Sequence, residues 1–100
     1  RRVRQNRKKG DAFVKLLYPA VFRKEGEAFW VEFPDLPGCQ SCGDTFEETL
    51  GNAKESLEGW CLTVLESGKT LPKASTAENI AVSVSTDKTA RVCVVETELP

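Results

Sequence analysis

The sequence of 100 residues contains no histidine. Without imidazole, a chain cannot build a Ser-His-Asp triad or a histidine general base, and it lacks the commonest ligand of catalytic metal sites. It also has no glycine-rich phosphate loop of the known nucleotide-binding motifs, and no apolar run approaches the roughly 20 residues that span a bilayer. We therefore expect a soluble protein that is not an enzyme and carries no cofactor.

Carboxylates are the remaining candidates for metal-dependent chemistry. Glu32, Asp35 and Asp44 could in principle converge as two-metal ligands, because such chemistry needs several carboxylates at neighbouring strand ends. Each of them also has a plainer role, respectively on a solvated strand face, in a loop turn and at a helix cap. The sequence therefore favours the plainer roles and predicts no catalytic residue and no metal site.

Four cysteines leave open a zinc site or disulfides. Only Cys39 and Cys42 have ligand-like spacing, and no histidine is present to complete a mixed zinc site. These two residues lie three apart in a predicted strand, so their side chains point to opposite faces and cannot easily form a disulfide with each other. Reduced thiols are the favoured interpretation, which is typical of a cytoplasmic protein.

Charge divides the chain into two parts. The first ten residues hold six bases and no acid, whereas the other 90 residues hold eight bases and all 15 acids, a formal net charge of −7. We predict a basic, disordered leader over residues 1–11, a folded domain over 12–96 and a tail over 97–100. A nucleic-acid-binding arm is the alternative for the leader, but the acidic domain itself suits basic partners.

Alternating apolar residues predict three strands in the first half of the chain. Residues 13–22 alternate, the turn at 24–27 contains glycine, and residues 28–33 form a second strand that pairs with the first as a hairpin. The loop at 34–38 has two prolines and a glycine, which end the pairing. A short third strand follows at about 39–42.

A helix is predicted next because apolar residues from Phe46 to Leu65 recur every three or four positions. Asp44 or Thr45 can cap its start, and Gly68 suits its end. Alternation over residues 80–85 and 91–95 then predicts a second hairpin. The order β-β-β-α-β-β indicates an α+β fold with an antiparallel or mixed sheet and one long helix packed on one face.

A single helix leaves the other face of the sheet uncovered. The strand residues predicted to point to that face include Phe13, Leu17, Val21 and Trp30. Such a face is too apolar to remain in water. We expect it to be buried by a second copy, by a partner or by the final hairpin.

Residues 18–22, 29–39 and 43–55 resemble the HicB-type antitoxin family, and the similarity extends over about residues 16–75. The loop Pro-Asp-Leu-Pro-Gly-Cys and the helix start Gly-Asp-Thr occur together at the separation usual in that family. The resemblance implies a partial ribonuclease-H-like fold without nuclease chemistry. It also implies assembly as a homodimer or homotetramer, and binding to HicA, a small basic toxin that cleaves messenger RNA.

The leading functional prediction is thus an antitoxin of a type II toxin-antitoxin pair, which occludes its HicA-type ribonuclease toxin. Trp30, Glu32, Asp35 and Leu36 are the candidate partner-binding residues. The alternative is a stand-alone oligomeric binding or regulatory domain without a toxin. The residues after Leu71 and Pro72 are predicted to form a hairpin, so they do not support the DNA binding that C-terminal modules provide in this family.

Overall fold

A computed structural model describes residues 14–99. In chain order its elements are β1 (Val14–Glu25), β2 (Ala28–Glu32), β3 (Gln40–Gly43), α1 (Phe46–Glu66), α2 (Ala77–Ser83) and β4 (Arg91–Leu99). The four strands form one antiparallel sheet in the order β3-β2-β1-β4. The long helix α1 contacts the sheet, so the predicted α+β class with one long helix is confirmed. No helix within residues 14–99 is long and apolar enough to cross a membrane.

The core lies between α1 and the central strand β1. From Leu16 to Phe22 every second residue of β1 is apolar and buried on the side of the helix, as the alternation predicted, whereas Val14 of the same set is 43% exposed. The helix contributes the stripe Ala53, Leu57 and Cys61, each fully buried. Burial of this apolar area is the main free energy holding the layers together. The β1 residues of this core are Leu16, Tyr18, Ala20 and Phe22.

Both ends of α1 lie where the sequence places them. Thr45 is the N-cap, and its hydroxyl accepts a hydrogen bond from the Glu48 N–H at 3.0 Å. At the other end Gly68 has φ +83°, and its N–H donates to the Leu65 carbonyl at 3.0 Å. The Lys69 N–H donates to the carbonyl of Val64 at 3.1 Å, which completes a Schellman motif.

Two exposed glycines inside α1 give a first prediction. A Cβ added at Gly51 or Gly59 would meet nothing within 4 Å, and both residues lie in the helix interior. Alanine is about 1 kcal/mol better than glycine at such positions. We expect Gly51→Ala and Gly59→Ala each to raise the free energy of unfolding by about 1 kcal/mol in urea titrations. A loss of stability in either variant would mean that the added methyl group meets other atoms of the folded chain.

The predicted second hairpin is wrong, because its first strand is the short helix α2. Thr76 caps this helix, its hydroxyl accepting from the Asn79 N–H at 3.0 Å. The segment between them, Ala-Glu, consists of good helix formers, and Ile80 is the one buried residue of α2. A helix that buries one apolar side chain needs no amphipathic stripe, so the alternation of Ile80, Val82 and Val84 was misleading.

Strand β4 is longer than predicted. It continues to Leu99, which pairs with Val14 and is only 2% exposed, so residues 97–99 belong to the sheet rather than to a tail. The leader predicted for residues 1–11, and Phe13, lie outside the described residues.

Candidate functional site

The face of the sheet opposite α1, termed the open face, carries the candidate contact residues Trp30 and Glu32. Their positions follow from the register, since Trp30 pairs with Arg23 and Cys42, and Glu32 pairs with Val21 and Gln40. Directly paired residues share a face of an antiparallel sheet. Trp30 and Glu32 therefore lie two residues apart on one strand and on one surface.

Three large apolar side chains of this face remain exposed. Leu17 is 45% exposed, Trp30 46% and Val94 49%. Val94 pairs with Pro19, so it shares this face with Leu17. Val21, in contrast, is 1% exposed. The prediction of an apolar second face is correct. Within residues 14–99, the segment that follows α1, where the final hairpin was predicted, buries only part of this face.

The turn after α2 is held against the open face by hydrogen bonds between Arg23, Asp87 and Glu32, a group that we term the clasp. Its Nε donates to Asp87 Oδ2 and its Nη1 to Glu32 Oε2, both at 2.8 Å. Asp87 also accepts bonds from the hydroxyl and N–H of Thr89 at 2.7 and 3.0 Å. The turn after α2 is thereby fastened to β1. Hydrogen bonds to Asp87 and then Glu32 raise the pKa of Arg23, while those from Thr89 and Arg23 lower the pKa of Asp87 to about 2.

This clasp gives a prediction for stability at acid pH. Because the pKa of Asp87 falls from 3.8 to about 2 on folding, its stabilising contribution is complete above about pH 4 and is lost as the pH approaches 2. Asp87→Asn should lower stability near neutral pH and flatten its pH profile between about pH 4 and 2, so that the profiles of the two proteins converge towards pH 2. Thermal unfolding of both proteins over a pH series tests this. Parallel profiles would show that Asp87 titrates normally.

Asp35 and Leu36 have a structural role in the loop after β2. Both carboxylate oxygens of Asp35 accept from Ser75, from its N–H at 2.8 Å and its hydroxyl at 2.7 Å. Leu36 is fully buried, and its N–H donates to the Phe33 carbonyl at 2.9 Å. The Tyr18 hydroxyl also donates to the carbonyl of Pro72. These bonds attach the linker after α1 to the sheet, so Asp35 and Leu36 do not join Trp30 and Glu32 on an exposed surface.

The cysteines and carboxylates form no cluster with metal-ligand character. Within residues 14–99 there is no group of three or more Cys, Asp or Glu side chains that could hold a metal ion. All four cysteines are free thiols, and Cys39 is buried whereas Cys42 is exposed, as their predicted opposite orientations require. Burial raises the pKa of Cys39 to about 11, with a smaller contribution from Cys61. Such a thiol is a poor nucleophile.

Arg23 and Asp87 are the residues of this region that sequence reasoning missed. They are 64 positions apart, and neither lies in a recognisable motif. The only available signal was the Asp-Lys-Thr turn at 87–89, in which an Asp side chain commonly bonds the backbone two residues later. That local pattern predicts the Thr89 bond but not the distant arginine.

The family of the chain follows from its sequence over nearly all the described residues. A family model described as "HicB_like antitoxin of bacterial toxin-antitoxin system" matches residues 18–99. The chain belongs to this antitoxin family. Antitoxin HicB 2 of Photorhabdus laumondii is 32% identical over 82 residues, which are 82% of this chain and 59% of that protein.

A phage protein and two solved structures extend this comparison. An uncharacterized 14.9 kDa protein of Haemophilus phage HP1 is 40% identical over 63 residues, which are 63% of this chain and 47% of that protein. The chain thus spans about half the length of these curated relatives. The N-terminal domain of Burkholderia pseudomallei antitoxin HicB superimposes with a TM-score of 0.70 at 27% identity, covering 84% of this chain and all of that one.

The second structure is a toxin-antitoxin complex from Streptococcus pneumoniae, in which one chain matches with a TM-score of 0.71. The match covers 83% of this chain and 69% of that one, and at 22% identity it bears on the fold alone. Together these findings confirm the predicted resemblance to HicB-type antitoxins. They also confirm the predicted architecture of a sheet with one long helix.

Proposed function

We propose that this chain is the toxin-binding domain of an antitoxin, and that it occludes a small, basic, mRNA-cleaving toxin of the HicA type. The observation that carries the proposal is the family match over residues 18–99. One chain of a HicA3 and HicB3 toxin-antitoxin complex shares the fold, with a TM-score of 0.65 at 23% identity. Occlusion requires only a complementary surface, so the function needs no reacting group in this chain.

Charge supports a basic partner. Residues 11–100 have a formal net charge of −7, and complementary charge accelerates association and disfavours wrong partners. The same negative charge disfavours nucleic acid as a general partner of the domain. We place the complex in the cytoplasm, where a toxin that cleaves messenger RNA meets its substrate.

The open face is the proposed contact surface. Trp30 is its large aromatic side chain, and tryptophan is among the residues that most often dominate binding energy at interfaces. The side chain of Glu32 is 49% exposed and has one ion pair with Arg23, so its second oxygen is available to a basic partner. Asp35 and Leu36 contribute indirectly by holding the adjoining loop in place.

The test is capture of the toxin by the chain with and without Trp30. The chain is co-expressed with the small basic protein encoded beside it, and the mass and affinity of the purified complex are measured. Trp30→Ser should weaken binding by roughly 30-fold or more, the loss typical of an interface hot spot. Leu65→Ser is the matched control, since Leu65 is 41% exposed but lies on α1. Equal affinities for both variants would place the contact elsewhere.

A second candidate function is a stand-alone oligomeric domain without a toxin. The exposed Leu17, Trp30 and Val94 on one face favour this alternative, because a second copy could bury them. A homodimer or homotetramer is proposed in either case. The mass of the purified complex distinguishes the two functions. It includes the small basic protein encoded beside this chain only if the chain is an antitoxin.

A further inference from the structure

A pocket of about 770 Å³ lies at the end of the sheet where β1 turns into β2, and we term it the hairpin pocket. Its apolar lining is on the face that carries α1, next to the first residue of that helix, Phe46. Arg23 also lines the pocket, but its guanidinium is directed to Asp87 and Glu32 on the open face. Its floor is apolar and aromatic. The Phe46 ring lies 4.9 Å from that of Phe22 and 6.4 Å from that of Phe29, measured between centroids. Cys93 of β4 completes the floor.

The rim of the hairpin pocket is basic in a domain that is otherwise acidic. Four of the eight bases in residues 11–100 line the pocket, and no acid lines it. The bases are Arg23, Lys24, Lys88 and Arg91. They come from the first hairpin, from the turn after α2 and from the start of β4, so the fold brings together bases that are up to 68 positions apart.

Within residues 14–99, three of these four bases have no charge partner. Arg23 is neutralised by Asp87 and Glu32, but no carboxylate of residues 14–99 lies within ion-pair distance of Lys24, Lys88 or Arg91. The Lys24 ammonium lies over the Phe29 ring, 5.6 Å from its centroid. Like charges gathered around an apolar hollow repel one another unless an anion joins them. An anionic ligand in the pocket would relieve this repulsion.

We propose that the hairpin pocket binds a nucleoside phosphate. The phosphate would accept hydrogen bonds from Lys24, Lys88 and Arg91, because it offers several charged oxygens where a carboxylate offers two. The base would lie on the aromatic floor, where stacking on phenylalanine stabilises any base. The volume also suits a small ligand, since such sites typically measure about 300–1,000 Å³. The ligand is either a free nucleotide or one nucleotide of a single-stranded RNA.

The experiment titrates the whole chain by calorimetry with AMP, with inorganic phosphate, with a short single-stranded RNA and with an acidic peptide. AMP should bind about tenfold more tightly than phosphate, because only AMP reaches the floor. Lys88→Gln and Arg91→Gln should each weaken AMP binding about tenfold, the usual effect of losing one charge-assisted hydrogen bond. Lys69→Gln, at the far end of α1, is the matched control and should change nothing. Phe29→Leu should weaken AMP binding more than phosphate binding, because it removes the stacking surface for the base and affects the phosphate only through Lys24, whose ammonium lies over the Phe29 ring.

The ligand source is decided by comparing AMP with RNA. Equal affinity per site indicates a free nucleotide, and tighter binding of RNA indicates a strand. The proposal is overturned if neither binds at millimolar concentration, if only the acidic peptide binds, or if Lys69→Gln has the same effect as Lys88→Gln. Thermal unfolding checks that each variant is folded; Lys88 lies in an exposed turn, so its variant decides the matter if the Arg91 variant is unfolded. Toxin capture is measured in a separate experiment. Failure of nucleotide binding therefore does not contradict the antitoxin function, and failure of toxin capture does not contradict nucleotide binding.

Discussion

Replacing Leu36 by Ala is expected to lower the free energy of unfolding by about 2–5 kcal/mol. Leu36 is 0% exposed and belongs to the core between α1 and the sheet, although it lies in a loop. Truncation leaves a cavity, and the loop cannot collapse into it because the Leu36 N–H and carbonyl are bonded to Phe33 and Cys39 at 2.9 Å. Urea titration followed by tryptophan fluorescence measures the change.

This variant also separates two roles that the sequence left open for Leu36. If its role is packing, Leu36→Ala lowers stability, and toxin capture falls only as far as the protein is unfolded. Leu65→Ala is the control, because a leucine that is 41% exposed should cost much less on truncation. An unchanged urea midpoint together with lost toxin capture would instead make Leu36 a direct contact.

Local sequence predicted the parts of the fold whose causes are local. The ends of α1 at Thr45 and Gly68 were predictable, because capping hydroxyls and glycines with positive φ act within a few residues. The alternation in β1 predicted its buried side because the period of two belongs to each strand. The helix α2 was missed because seven residues with one buried side chain are too few for either periodicity to be distinctive.

The candidate site was predictable in part. Residues whose position depends on local pattern could be placed, and residues whose position depends on contacts distant in the chain could not. Trp30 was found because it occupies the alternate set of β2 opposite the core. The exposed Val94 was not, because its exposure depends on where α2 and the following turn lie. Arg23 and Asp87 could not be paired from sequence, since nothing local brings their strand and turn together. The hairpin pocket could not be predicted from sequence either, because its bases come from three separate segments of the chain.

Asp35 shows the converse case, in which a candidate residue has a long-range partner that the sequence did not indicate. It is a candidate partner-binding residue in the loop that resembles the HicB-type family. The structure instead directs both oxygens to Ser75, 40 residues later. Such a side chain joins two segments that are far apart in the chain, and its partner cannot be inferred from a single sequence.

The second large effect is expected at Gly43, the last residue of β3. A Cβ there would lie 2.7 Å from Thr49 Oγ1 and 2.9 Å from the Thr49 backbone nitrogen, closer than real Cβ atoms approach. Thr49 cannot withdraw, because it is fully buried and both its N–H and its hydroxyl donate to the Thr45 carbonyl, at 2.9 and 2.7 Å. Gly43→Ala should therefore cost about 1–3 kcal/mol, and Gly43→Val more.

The control for this variant is Gly51→Ala, which adds the same methyl group where nothing lies within 4 Å and should stabilise the protein. Opposite shifts of the two urea midpoints would show that the first turn of α1 packs directly on the backbone of β3. Thr49→Ala added to Gly43→Ala should recover only part of the loss, because it removes the hydroxyl and leaves the backbone nitrogen at 2.9 Å. Full recovery would mean that the side chain alone sets the contact, and an unchanged midpoint for Gly43→Ala would mean that α1 starts farther from the sheet.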